Sequence, residues 1–133
     1  MLKLEIVTPE KRVIDMDVDS VTVPTATGEV GILPAHAPLI SALKPGIITY
    51  TTKGSAERLA VAGGFVEVAG DKVSVLADTA ESADEIDLQA AREQRDAAER
   101  TFAAATAATA EETEALREQV EAAAVRYQLA AGR

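Results

Sequence analysis

The chain has 133 residues, room for one ordinary domain or a small domain with an appendage, and too few for a large active-site cleft. Its 13 Lys and Arg against 22 Asp and Glu leave a net charge of -9, which repels phosphate backbones and anionic lipid and argues against nucleic acid or a membrane surface as a partner. Only 3% of residues are aromatic and there is no Trp or Cys, so the core must be aliphatic, and base-stacking platforms, disulfides, thiol catalysis and thiolate metal sites are excluded.

The opening MLKLEIVTPE carries acids and matches neither a signal nor a transit peptide, so the mature chain is expected to begin near Met1, in the cytosol. No apolar run approaches the roughly 20 residues that span a bilayer. Leu2, Leu4 and Ile6 alternate with Lys3 and Glu5 before Pro9, the pattern of a half-buried strand. Further short strands are predicted around 13–23, 47–52, 58–61, 65–68 and 73–77, with turns at Gly28, Gly54 and Gly70. That spacing predicts an antiparallel β-sandwich over residues 1–84, because no crossover helix fits between the strands for a parallel sheet.

All five Pro lie at or before Pro45, and neither Gly nor Pro occurs between Gly70 and Gly132. Residues 85–133 hold 16 Ala among 49, with Glu, Gln and Arg filling most of the rest, which are strong helix formers. Ser82 and Glu85 have capping-box spacing, and Asp84 and Asp87 offer alternative caps, so a first helix should begin near Ile86. A second box at Thr109 and Glu112 starts another helix, with the turn in residues 103–109. Leu88, Ala91, Ala98, Phe102 and Ala105, interrupted by Arg95, face Leu116, Val120, Ala123, Tyr127 and Ala130 at three-four spacing. An antiparallel hairpin over 85–133 with an Ala-rich seam follows. Burying a Leu or Phe contributes about 1.5 to 3 kcal/mol and an Ala methyl far less, so docking of such a hairpin should be marginal, as a two-state element requires. A rigid two-helix cap fits the periodicity equally well.

Enzyme motifs are lacking: there is no phosphate loop, dinucleotide fingerprint or nucleophile elbow. The one histidine, His36, has no companion ligands or nucleophile at useful spacing, so a structural or interface role fits it better than metal binding or catalysis. Gly63 and Gly64 read as a bulge or tight turn before a phosphate contact. Asp87 reads as a helix N-cap.

The stretch GEVGILPAHAPLISALKPG, residues 28–46, resembles the signature of the epsilon subunit of bacterial and chloroplast F-type ATP synthases. VAGGFVEV at 61–68 and VSVLADTAE at 73–81 are similar to two further blocks of that family, in the same order. The resemblance implies a non-catalytic rotor subunit on the cytoplasmic side of the membrane, without a cofactor. It implies a sandwich that binds the gamma subunit and rests on the ring of c subunits, helping convert proton-driven rotation into ATP synthesis. It assigns Glu29 to ring contact, Gly28, Gly31 and Pro34 to the shape of that loop, and His36 and Pro38 to the neighbourhood of the rotor interface. It also implies a hairpin that extends toward the alpha and beta subunits and restrains hydrolysis, with Arg117 and Arg126 as the internal cations of the second helix available for an acidic partner.

Some relatives hold ATP on the folded hairpin through I-D-x-x-R-A. Here the segment is Ile86, Asp87, Leu88, Gln89, Ala90, Ala91, with Ala90 in place of the Arg. Arg92 lies about 200° further around a helix and does not substitute, so Asp87 and Arg92 mark at most a degenerate nucleotide site, and ATP binding is not expected.

Overall fold

The computed structural model describes residues 1–132. Eight strands come first: β1 (Leu2–Val7), β2 (Arg12–Val18), β3 (Ser20–Thr25), β4 (Gly28–Ile32), β5 (Leu39–Ala42), β6 (Gly46–Thr52), β7 (Ser55–Ala69) and β8 (Lys72–Ser82). A 3-10 turn, Ala83–Glu85, leads to α1 (Leu88–Ala104) and α2 (Ala110–Ala131). The strands run β2-β1-β8-β7-β6-β3-β4, with β5 paired to β7.

The period-two pattern of β1 decides which face is inward: Leu2, Leu4 and Ile6 are fully buried, and they join Val21, Val23, Ile48, Val66, Val68, Val73 and Val75 in one aliphatic core. Strands at distant places in the sheet order thus share a single core, the arrangement expected of a sandwich. Each fully buried Leu, Ile or Val contributes about 1.5 to 3 kcal/mol, so this core holds the first half together.

The expected strand over 13–23 is two strands, because the chain turns at Asp19 from a partner in β1 to a partner in β6. The two strands expected over 58–61 and 65–68 are one, β7, which passes through Gly63 and Gly64 with its register to β8 unbroken. The glycine pair is neither a tight turn nor a register-shifting bulge. Both residues have positive φ, and a Cβ on Gly64 would lie 1.9 Å from the Leu76 carbonyl oxygen, so the bent strand approaches β8 closely only without a side chain there. Either side of this bend, β7 pairs with β6 through Val61 and with β5 from Phe65. β4 and β5 lie inside a Gly- and Pro-rich stretch and were not expected as strands. One pair is parallel, β1 with β8, and the sandwich itself forms the connection between them.

The helical half follows its local signals. Asp87 caps α1 by accepting the Ala90 N–H at 2.8 Å, and Thr109 caps α2 by accepting the Glu112 N–H at 3.1 Å. The helices pack on each other as a hairpin, α2 lies on β6 and β7, and a second cluster of Ala60, Ile86, Ala91, Leu129 and Ala130 joins them to the sheet. Leu88 departs from the expected seam. It is 41% exposed, while Ala91, one turn on, is fully buried.

Candidate functional site

Three surfaces carry the side chains of interest. The first is built by the signature segment. Thr25, buried at the end of β3, donates its hydroxyl to the Gly28 carbonyl at 2.6 Å, and Gly28 turns the chain at φ +122° into β4. Glu29 follows, exposed and opposite Pro24. Gly31 sits on the same strand with open space where a Cβ would be. Pro34, His36 and Pro38 lie beyond the far end of β4, in the loop before β5. Pro34 and Pro38 are exposed, and His36 is half-buried, its Nδ1 donating to the Ala37 carbonyl at 2.6 Å. The six residues therefore divide into two groups: five residue steps of extended chain, about 16 Å, separate Glu29 from Pro34.

The second surface is the outer face of the sheet. Val7, Leu76, Phe65 and Ala42 stand in one cross-strand row over β1, β8, β7 and β5. Phe65 and Leu76 are each 59% exposed. Ile40 and Leu33 add apolar surface on β5 and at the end of β4. Sequence reasoning passed over Phe65 and Leu76, although three apolar residues in succession, Val75, Leu76 and Ala77, force one of them outward in any strand.

The third surface is the joint between hairpin and sandwich. Arg126 of α2 donates Nε to Glu81 Oε1 at 2.8 Å and Nη2 to Glu81 Oε2 at 3.1 Å, a two-point grip on the end of β8. Its remaining nitrogen, Nη1, donates to Gln94 of α1. One guanidinium thus ties three elements. Beside it, the Arg95 guanidinium lies 4.2 Å over the Tyr127 ring, which explains the cation interrupting the apolar stripe of α1. Around the clasp the packing is loose. A cleft of about 590 Å³ lies between β7, β8 and both helices, lined by Ala62, Thr79, Ala98, Gln119, Ala122 and Arg126 among others. In the 3-10 turn between β8 and α1, Glu85 accepts the Ser82 N–H at 3.1 Å and its hydroxyl at 3.0 Å. These two donors, with Lys11 Nζ at 3.7 Å adding a weaker pull, hold the Glu85 carboxyl below the usual glutamate value.

The residues weighed for nucleotide do not converge. Asp87 is committed to capping, Arg92 is exposed on α1, and Arg117 pairs with Glu114 at 3.4 Å. Arg117 and Arg126 are nine residues apart, about 13 Å along α2 and on opposite faces.

Residues 1–83 match the family model described as ATP synthase, Delta/Epsilon chain, beta-sandwich domain. Over 91 residues the chain is 53% identical to the ATP synthase epsilon chain of Carboxydothermus hydrogenoformans, covering 68% of each chain. The chain belongs to the ATP synthase epsilon family. A second epsilon chain, from Desulfitobacterium hafniense strain Y51, is 46% identical over 97 residues, 73% of this chain and 74% of that one. Among solved structures, a chain of the Euglena gracilis mitochondrial ATP synthase, in a structure described as OSCP/F1/c-ring, superposes with a TM-score of 0.80 at 20% identity, over 99% of this chain and 81% of that one. A chain of the Tetrahymena thermophila central stalk/c-ring structure gives 0.65 at 14% identity, over 97% and 96%. At those identities the superpositions concern the fold. Epsilon chains are non-catalytic subunits of the central stalk, and this one adds no helix, among its described residues, long and apolar enough to cross a membrane.

Proposed function

We propose that the chain is the rotor-coupling subunit of its synthase. Its sandwich joins the gamma subunit to the ring of c subunits on the cytoplasmic side of the membrane, and its hairpin, when released, reaches the alpha and beta subunits and restrains ATP hydrolysis. The outer-face row of Val7, Leu76, Phe65 and Ala42 supports the first part most strongly. An exposed Phe and Leu side by side on a sheet whose inner face is already filled keep apolar area in water unless a partner covers it, and gamma is the partner to which we assign that face. Glu29 and its turn, and the Pro34–Pro38 loop, are assigned to the ring and its junction with gamma.

The clasp at Arg126 supports the second part. Docking rests on few large apolar side chains, Ile86 and Leu129 foremost, plus one guanidinium with three bonds, so a competing partner has little to overcome. Arg126 has Glu81 as its acidic partner when docked and acquires one on the alpha or beta subunit when extended. Arg117, exposed and loosely paired, is available in both states.

Affinity purification of the tagged full-length chain from native membranes tests this reading. Gamma, alpha, beta and the c-ring should co-purify, and Phe65→Asp with Leu76→Asp should lower gamma recovery at least tenfold. Undiminished gamma recovery by the double variant would remove gamma from that face, and a chain recovered alone would refute the reading as a whole.

A further inference from the structure

We infer that Asp71 is a positioning residue of the rotor interface, whose carboxylate fixes the Leu33–His36 turn in the shape that its partner meets. This rests on the assignment of the 34–38 loop to that interface.

Leu33 to His36 form a type II β-turn: His36 N–H donates to the Leu33 carbonyl at 3.2 Å, Pro34 holds the second position, and Ala35 holds the third at φ +67°. That third position normally takes Gly, because a Cβ is crowded in left-handed backbone. What offsets the crowding is a distant side chain. Asp71 accepts the Ala35 N–H at 2.9 Å, and its own carbonyl accepts the Lys3 N–H at 2.8 Å. Asp71 occupies the second turn position after Gly70 in the tight β7–β8 hairpin, anchored at Ala69 and Lys72. The strained turn is thereby referenced to β1, β7 and β8, the strands that also carry the outer apolar row. Leu33 and Pro34, both exposed, are presented at its tip.

A second instance of the device occurs at the opposite end of β7. The other described non-glycine residue at positive φ, Lys53 (φ +51°), donates its N–H to Asp19 at 3.2 Å. Asp19 therefore supplies a control that has the same chemistry at a turn away from the proposed interface.

Two readouts on the full-length chain separate the possibilities: amide exchange of Ala35, and the concentration that half-restores ATP-driven ion pumping to synthase stripped of this subunit. Asp71→Ala should speed Ala35 exchange about tenfold and raise the half-restoring concentration about tenfold, with maximal pumping unchanged. Asp71→Asn retains an acceptor oxygen and should stay close to the parent. Adding Ala35→Gly to Asp71→Ala should recover most of the loss, since Gly adopts the turn unaided. Asp19→Ala should leave the half-restoring concentration alone. Faster Ala35 exchange in Asp71→Ala with an unchanged half-restoring concentration would overturn the positioning role, and unchanged exchange would show that the carboxylate does not hold the turn. Failure of the parent chain itself to restore pumping would instead remove the rotor reading beneath it.

Discussion

Arg126 is the side chain through which the proposed reading couples docking to regulation. Its two-point pair with Glu81 is less than a third exposed on both sides, 29% each, so it retains more of its strength than an open surface pair, about 1 to 2 kcal/mol. Glu81→Ala should therefore release the hairpin while leaving Arg126 available to another partner. Spin-label distances between sandwich and hairpin tip should show the undocked population rising about five- to thirtyfold, with ATP hydrolysis by the reconstituted synthase falling. Arg117 makes its ion pair within α2 and none to the sandwich, so on the proposed reading Arg117→Ala should raise hydrolysis with docking distances unchanged. If both variants move hydrolysis in the same direction, the two arginines do not divide the work in this way. Glu85 adds a pH term. Its folded-state pKa is depressed by the Ser82 N–H first and the Ser82 hydroxyl second, so its contribution is complete above the ordinary glutamate value and is lost as pH falls through the lower folded value. Protection of the Ser82 amide, measured relative to its intrinsic exchange rate, should fall on acidification below the ordinary glutamate range, and Glu85→Gln should flatten that dependence.

At the scale of elements, the helices and the first strand were legible because their signals are local. Asp87 and Thr109 cap within three residues, and Leu2, Leu4 and Ile6 announce their face by alternation alone. β4 and β5 escaped because Gly28, Gly31, Pro34 and Pro38 punctuate them as loop, and what makes them strands is pairing with β3 and β7. The glycine pair in β7 escaped for a related reason: its requirement is the Leu76 carbonyl, on another strand. Sequence could place Arg126 on a helix and name its charge, but Glu81 is 45 residues away. An Ala-rich seam is legible in the sequence, but its anchoring is not: the buried residues that join the hairpin to the sheet, Ile86, Ala91, Leu129 and Ala130, sit at the end next to the 3-10 turn, with the cleft beyond them. Leu129→Ala should accordingly undock the helices, at a cost of about 2 kcal/mol, with little effect on the melting of the strand core. Joint loss of strand and helix signals in one hydrogen-exchange transition would mean that the hairpin is integral to the sandwich.

Across the whole molecule, the strand core is separate from the smaller cluster that joins the hairpin to the sheet, and we assign sandwich and hairpin separate tasks. A fragment ending near Asp84 should fold as a sandwich and keep gamma, since the buried strand residues form a cluster without the helices. The dispersal of Asp87, Arg92, Arg117 and Arg126 predicts that the isolated chain takes up no ATP more tightly than about 1 mM in calorimetric titration, with or without magnesium. The rotor assignment itself is tested most directly by coupling. In inverted membrane vesicles stripped of this subunit, adding the full chain should restore ATP-driven ion uptake per ATP hydrolysed, and the fragment lacking the hairpin should restore uptake while leaving hydrolysis unrestrained. Ion uptake per ATP that is the same with and without the chain would contradict the account.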